Sequence, residues 1–274
     1  MRQRAVRAGL LIQLSLASVG AVAGSAAASP VSGPHETIDN RLTTTQPNAP
    51  SGFAFDGTYH AAGNPRGNPP YMRRMIFYNC SGTRYDTSVP ARCSASDVEL
   101  EMRGAAACPA GSRIGGGMST ALFMGRFSST VQVDFFNNTN QQIILARSPF
   151  VSTVARGRIF PDGSTEFASP TCFPYVPPAG CPVDTLLQMK SSITVPPFTK
   201  TSNGVTRSYL TTPRTCPATG RWKSPVRLWW ADGTVDTVVI PEPCTRPRAS
   251  RKCVARRGSR KRKSCRAAPA RRRY

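Results

Sequence analysis

Histidines, the usual general bases of catalytic sites, are few in this sequence. The two histidines, His35 and His60, lie in a stretch rich in Pro, Gly and Ser that predicts loop structure. A Ser-His-acid site needs a base that titrates near its working pH, usually histidine. The sequence has no G-x-S-x-G and no H-E-x-x-H motif. Serine and zinc hydrolases therefore have little support, and we predict no catalytic residue, no cofactor and no metal site.

The densest carboxylate group is Asp97, Glu99 and Glu101. Paired carboxylates could serve glycoside hydrolysis, so an exported hydrolase with a cryptic carboxylate site is the alternative function. The favoured interpretation is structural, because Ser96 and Glu99 form a capping box and acids in a first turn complement the helix dipole. The residues at helical spacing that predict the buried face of this helix are Ala95, Val98, Met102 and Ala105.

Two other sequence patterns could indicate a ligand-binding site. Gly115-Gly116-Gly117 has the glycines of a phosphate loop but lacks the Lys-Ser/Thr that would follow, so it predicts a bulge or sharp bend. Trp229 and Arg227 could line a sugar- or peptide-binding surface; the favoured interpretation is that Trp229 covers a second sheet.

The N-terminus has the pattern of a secretory signal peptide over residues 1–28. Arginines precede an apolar stretch from Ala8 to about Gly24, and Ala26 and Ala28 form an A-x-A cleavage site. A membrane anchor is the alternative, but the segment is short and ends in Ala and Ser. We expect a secreted or extracellular mature chain, whose cysteines then become candidates for disulfides.

Six of the nine cysteines form three candidate pairs, which are Cys93–Cys108, Cys216–Cys244 and Cys172–Cys181. The first pair brackets the helix and closes a loop of about 15 residues, worth roughly 3 kcal/mol. The second is brought together by a hairpin, and the third flanks a proline-rich loop. Since no C-x-x-C pair exists, disulfides are favoured over zinc. An odd set is left over, in which at least one thiol is free or bonded to another molecule: Cys80, Cys253 and Cys265.

Short strand-like segments separated by turn residues fill residues 71–244. In Thr130–Phe136, for example, Val131, Val133 and Phe135 alternate with polar residues. This favours an all-β antiparallel sandwich or barrel, as a jelly-roll or immunoglobulin-like sandwich, in one unit or in two sub-units that split near 148–182. Residues 29–70 are predicted to be a leader or long loop, in which Phe53-Ala54-Phe55 could add an edge strand.

Asp232-Gly233 predicts a two-residue type I′ hairpin loop. The pairs that this loop brings together on one apolar face are Trp230 with Val235, Leu228 with Thr237 and Val226 with Val239. The opposite face then carries Arg227, Trp229 and Asp236.

Residues 245–274 hold 14 Lys or Arg and no acid, whereas residues 29–244 have a net charge of only +5. Such charge density predicts a disordered tail that binds an anionic envelope polymer or lipid surface electrostatically, and nucleic acid non-specifically. A solvated tail without a dedicated partner is the alternative. The basic clusters are formed by Arg256, Arg257, Arg260, Lys261, Arg262, Lys263, Arg271, Arg272 and Arg273.

Several blocks resemble a pattern found in secreted proteins of high-GC soil actinobacteria. These blocks are GTRYDTSVPARCSASD at 82–97, ACPAGSRIG at 107–115, RTCP at 214–217, GRW at 220–222 and WADGT at 230–234, with Cys244. The resemblance covers roughly residues 65–244 and implies export and two disulfides but no activity. Our expectation is a secreted, non-catalytic β protein, held near the cell envelope by its tail; an extracellular nucleic-acid-binding protein is a further alternative.

Overall fold

The structure is a computed structural model that describes residues 29–123, 125–149, 152–168 and 186–245. The predicted signal peptide, the Cys172–Cys181 pair, Cys253, Cys265 and the basic clusters lie outside these residues, so the predictions made for them stay predictions.

Strands make up most of the described chain. In chain order they are β1 (Val31–Ser32), β2 (Glu36–Leu42), β3 (Pro50–Ser51), β4 (Phe53–Tyr59), β5 (Met72–Phe77), β6 (Arg84–Tyr85), β7 (Arg113–Phe123), β8 (Phe127–Asn138), β9 (Gln141–Arg147), β10 (Ser152–Ile159), β11 (Thr165–Ala168), β12 (Leu186–Val195), β13 (Thr199–Ser202), β14 (Val205–Ser208), β15 (Leu210–Thr211), β16 (Arg221–Trp230) and β17 (Val235–Pro243). One helix, α1 (Asp97–Arg103), and two short 3-10 turns (104–107 and 110–112) complete the order.

Twelve of these strands form one antiparallel sheet, in the order β1-β2-β4-β12-β7-β8-β9-β10-β11-β5-β16-β17. Strands β13 and β14 pair separately, and β15 lies between β3 and β6. The sheet curls until its ends meet, since side chains beside and on β2 reach those of β17. The predicted antiparallel all-β class is confirmed, and the sheet takes a near-barrel form with most of the apolar core inside it.

The leader predicted for residues 29–70 is wrong, because β1 to β4 lie within it. Strand β4 is also no edge strand, since it pairs with β2 on one side and β12 on the other. The inward positions of β2 include Glu36 and Asn40. Because these buried residues are polar, a search for alternating apolar and polar residues does not detect this strand. Strands from both sides of 148–182 share the main sheet, so the described residues do not divide there into two sub-units.

The predicted type I′ loop is wrong as well, and the register of the hairpin is shifted by one residue. Trp229 pairs with Val235, and Gly233 has a positive φ of 87° where a type I′ loop requires two such residues. The three-residue loop is held by Asp232, whose carboxylate accepts hydrogen bonds from the backbone and side chain of Thr234 at 2.9 and 2.6 Å. Because side chains alternate along a strand, the shift reverses both faces of β17. Its inward residues are Asp236, Val238, Ile240 and Glu242.

Helix α1 packs on the outside of the sheet and begins with the predicted capping box. The Ser96 side chain accepts a hydrogen bond from the Glu99 backbone N–H, and the Glu99 carboxylate accepts one from the Ser96 N–H at 2.8 Å. Of the predicted face, Ala95 and Ala105 pack inward, but Val98 is 59% and Met102 64% exposed, so the prediction is wrong for these two. Leu100 is fully buried instead and packs against the outer faces of β8 to β10.

Both cysteine pairs predicted within the described residues are bonded. The Cα atoms of Cys93 and Cys108 are 5.0 Å apart, and those of Cys216 and Cys244 are 5.7 Å apart. Cys80 is a buried free thiol, and burial raises its pKa to about 12.

Candidate functional site

The curled sheet surrounds a cavity of about 190 Å³ that is partly open to solvent. Its walls come from ten strands, and the strand alternation explains the lining: on β8, Val131, Val133 and Phe135 point inward as predicted, while Gln132 points outward. Most lining side chains are aliphatic or aromatic, and none of those in the described part of the chain carries a charge. This arrangement can hold a small apolar molecule, since such pockets are typically apolar with a few placed polar groups.

Glycine and alanine leave the space open. A Cβ atom on Gly157 would lie 2.2 Å from a ring carbon of Phe167, so only glycine lets that ring lie flat against β10. Ala121, Ala146 and Ala155 line the cavity with single methyl groups. The predicted bend at Gly115 is present as a register shift between β7 and β8, where close neighbouring backbone excludes a Cβ.

Most polar side chains of the lining are already hydrogen-bonded to the protein. The Asn79 amide donates to the Gly163 carbonyl at 2.7 Å, and the Gln142 amide donates to the Tyr209 hydroxyl at 3.0 Å. Asn40 donates to Glu242 at 2.9 Å. These three amides are therefore engaged in holding the fold.

A second polar set lies on β7 and β12. The Ser119 hydroxyl donates to the Lys190 carbonyl at 2.6 Å and lies 3.1 Å from the Ser191 hydroxyl, to which the Gln188 amide donates. All three side chains line the cavity. Gln188 retains donor and acceptor capacity, because an amide side chain offers two N–H groups and a carbonyl.

Buried carboxyl groups lie where the two ends of the sheet meet. We call this contact the seam, formed by His35, Glu36, Asn40, Asp236 and Glu242. The Asp236 carboxylate is 2.6 Å from Nδ1 of His35 and accepts a hydrogen bond from the Trp230 indole N–H at 2.9 Å. Burial and, after it, the neighbouring Asp236 raise the pKa of Glu36 to about 8.

Three seam residues have the chemistry of metal ligands. One ligand atom each of His35, Glu36 and Asp236 lies within 4.8 Å of the others. Ligands held 2.0–2.1 Å from a tetrahedral zinc ion lie roughly 3.3 Å apart, whereas the His35–Asp236 contact of 2.6 Å is a hydrogen-bond distance. His35 and Asp236 are therefore joined by a hydrogen bond, whereas both carboxyl oxygens of Glu36 are buried without a hydrogen-bond partner among the described residues.

Glu242 holds the other half of the seam. It accepts hydrogen bonds from the Asn40 side chain and from the Leu42 backbone N–H, each at 2.9 Å. Burial outweighs these bonds and raises the pKa of Glu242 to about 7. The Ser224 hydroxyl lies 3.5 Å from this carboxyl and 3.1 Å from the Cys80 sulfur. Ser224 thus connects the Cys80 thiol to Glu242 through buried polar contacts.

The residues considered for catalysis from sequence do not border the cavity. The His60 ring contacts the carbonyl of the next residue at 3.0 Å. Asp97 pairs with Arg156 at 2.6 Å, and Glu99 serves the capping box. Burial, with Asp97 as the lesser cause, raises the pKa of Glu101 to about 7. The structure thus places these acids on the outside, around the short helix.

Trp229 lies on the outer face of β16, stacked between two arginines. The guanidinium carbons of Arg74 and Arg227 lie 4.5 and 4.9 Å from its ring centre. In the described residues it covers no second sheet, and cation–π contacts account for its position.

Sequence reasoning missed the cavity and the seam. The cavity arises from curvature of the sheet, which brings distant strands together, and no local pattern encodes it. One feature of the sequence could have revealed the seam, namely that side chains alternate between the two faces of β17. Because the predicted register was wrong by one residue, it placed Asp236 on the outer face.

Comparisons with protein-family models, with curated proteins and with solved structures find no match. Among the described residues, no helix is both long and apolar enough to cross a membrane.

Proposed function

We propose that this chain is an exported, non-catalytic binding protein whose sheet holds one small, mainly apolar molecule. The observation that carries this proposal is the uncharged interior cavity of about 190 Å³. An apolar cavity of about 150 Å³ in another protein takes up benzene. Scaled by volume, this cavity suits a ligand of about eight non-hydrogen atoms.

The distribution of titratable groups supports binding rather than catalysis. Acid-base chemistry needs a group of suitable pKa within hydrogen-bond reach of the substrate. The described lining supplies amides and aliphatic hydroxyls, together with the phenol of Tyr85, whose pKa burial raises to about 12. Glu36 and Glu242, two buried carboxyls with raised pKa values, lie in the seam and do not line the cavity.

Calorimetric titration with ethylbenzene, which has eight non-hydrogen atoms, tests this function. We expect a dissociation constant on the order of 0.1 mM, about 0.7 kcal/mol per atom, which is reasonable for a very small ligand. Ala146→Leu fills the cavity and should abolish the heat of binding. Ala54→Leu is the matched control, because Ala54 alternates with the inward Phe53 and Phe55 and so faces outward.

Wild-type protein that gives no binding heat up to the solubility limit of ethylbenzene would contradict the function. Equal binding by the Ala146→Leu and wild-type proteins would place the ligand outside the cavity. Thermal unfolding of both variants checks that each is folded.

The basic segment 246–274 supports a second part of the proposal, an electrostatic tether to anionic envelope polymer or lipid. It contains 14 Lys or Arg and no acid. Deleting it should abolish binding to anionic vesicles and leave the unfolding midpoint unchanged, since the sheet ends at Pro243. Binding should weaken as salt rises through about 0.15 M, where the Debye length is about 8 Å.

Competition separates an envelope tether from a nucleic-acid-binding arm. Both bind electrostatically and respond to salt in the same way. A tether should be displaced from vesicles by anionic envelope polymer at lower charge concentration than by DNA. Stronger displacement by DNA would favour the nucleic-acid alternative, and binding that survives both deletion and high salt would contradict the tether.

A further inference from the structure

We propose that the cavity selects neutral molecules that carry one hydroxyl or carbonyl group, and that Gln188 is the specificity-determining residue that binds this group. The inference rests on the proposed function and names the class of ligand that the cavity takes.

A β-bulge turns Gln188 into the cavity. In the pairing of β12 with β7, Gln188 lies opposite Ala121 and Lys190 opposite Thr120, so Met189 is an extra residue. Regular alternation from Ser191 would turn position 189 inward and position 188 outward. The bulge instead places Gln188 in the lining beside Ser191. Bulges commonly re-aim a side chain next to a functional site.

The other amides of the lining make hydrogen bonds that link distant parts of the fold, whereas the hydrogen bond of Gln188 is local. Asn79 and Gln142 tie the sheet to a loop and to the Tyr209 hydroxyl. The Gln188 amide contacts Ser191 on its own strand, three residues away. A polar side chain inside an apolar cavity costs free energy unless it is hydrogen-bonded, so a ligand group that completes its bonds gains from that position.

The absence of charged side chains from the described lining explains why the expected ligand is neutral. A carboxylate or ammonium group would lose its hydration without meeting a counter-charge there. An amide can donate to a carbonyl or accept from a hydroxyl, so both groups fit Gln188. The expected ligand is therefore an alcohol, phenol, aldehyde or ketone with a compact apolar body.

Three probes of equal size separate these requirements. Ethylbenzene, benzyl alcohol and benzylammonium each have eight non-hydrogen atoms and differ at one terminal group. Gln188→Met removes the amide and keeps an unbranched side chain of similar volume. Gln132→Met makes the same change on the outward face of β8 and serves as the matched control.

The measured quantity is the ratio of the dissociation constants for ethylbenzene and benzyl alcohol in each protein. Gln188→Met should shift this ratio against benzyl alcohol by about fivefold to tenfold, the value of one hydrogen bond, and Gln132→Met should leave it unchanged. Benzylammonium should bind the wild-type protein at least tenfold more weakly than benzyl alcohol.

An unchanged ratio in a folded Gln188→Met protein that still binds ethylbenzene would overturn the role of Gln188 and leave the proposed function standing. Equal binding of benzylammonium and benzyl alcohol would overturn the selection for neutral ligands. If the wild-type protein binds none of the three probes, the proposed function fails and this inference fails with it.

Discussion

Replacing Glu36 by glutamine is expected to leave stability within about 1 kcal/mol of wild type at pH 5 and to raise it at pH 8. The carboxyl is fully buried beside Asp236, and its pKa is raised from 4.5 to about 8. The proton that it keeps in the folded state stabilises the protein fully below about pH 4.5. That stabilisation is lost as pH rises towards 8, because the unfolded chain ionises first.

The size of the effect follows from the displaced pKa. Each pKa unit corresponds to about 1.4 kcal/mol, so a pKa of 4.5 in the unfolded chain and about 8 in the folded protein gives an upper limit of about 3.5 kcal/mol lost by the wild-type protein between pH 5 and pH 8. Glutamine cannot ionise, and its side chain has nearly the same size and shape as the protonated carboxyl group that it replaces. Part of the pH dependence should remain in the variant, since Glu242 has a raised pKa of about 7.

Urea unfolding followed by tryptophan fluorescence at pH 5, 6, 7 and 8 measures this difference. Glu99→Gln is the control, because hydrogen bonds from Ser96 lower the pKa of Glu99. The Glu99→Gln protein should therefore be less stable than the wild-type protein at both pH 5 and pH 8. Our reasoning on the seam would be refuted if wild-type stability were flat from pH 5 to 8 and Glu36→Gln destabilised the protein equally throughout.

Three further perturbations test the packing. Leu100→Ala should cost about 2–5 kcal/mol and Val98→Ala less than about 0.5 kcal/mol, because the first residue is buried and the second exposed; equal costs in urea unfolding would contradict the orientation of the helix. Replacing both Cys93 and Cys108 by alanine should cost roughly 3 kcal/mol, and unchanged stability would show that this bridge does not constrain the unfolded chain. Gly157→Ala should push the adjacent phenylalanine ring into the cavity and weaken ethylbenzene binding at least tenfold, so unchanged calorimetric affinity would argue against the shape of that wall.

Patterns that depend on near neighbours in the chain predicted the structure well. The capping box of Ser96 and Glu99 is present, and the alternation of Val131, Val133 and Phe135 faces the interior. The pair Cys93–Cys108 brackets a helix, so its separation depends on local geometry. In each case the sequence contains both partners of the interaction within about 15 residues.

The hairpin shows where such reasoning stops. An Asp-Gly pair fits both a two-residue type I′ loop and a three-residue loop in which only glycine has a positive φ. The Asp232 bonds to Thr234 hold the second form. Burying Asp236 and Glu242 then depends on partners about 200 residues away, His35 and Asn40. A search for apolar faces places such carboxyls outside, and so it also misses the seam.

The cavity could not be predicted for a related reason. Its walls combine ten strands, and its volume is what remains after large rings and small alanines have packed together. The bulge that turns Gln188 inward has no glycine or proline to mark it.

A crystal of the protein without residues 1–28, soaked with iodobenzene, tests the central claim most directly, because the anomalous signal of iodine locates the ligand without interpretation of side-chain density. We predict one dominant iodine peak inside the sheet, within van der Waals distance of lining residues such as Ala121, Val133 and Ile144. No peak in the interior, or peaks confined to outer surfaces such as the one that carries Val235 and Val239, would contradict the assignment of the cavity as the binding site.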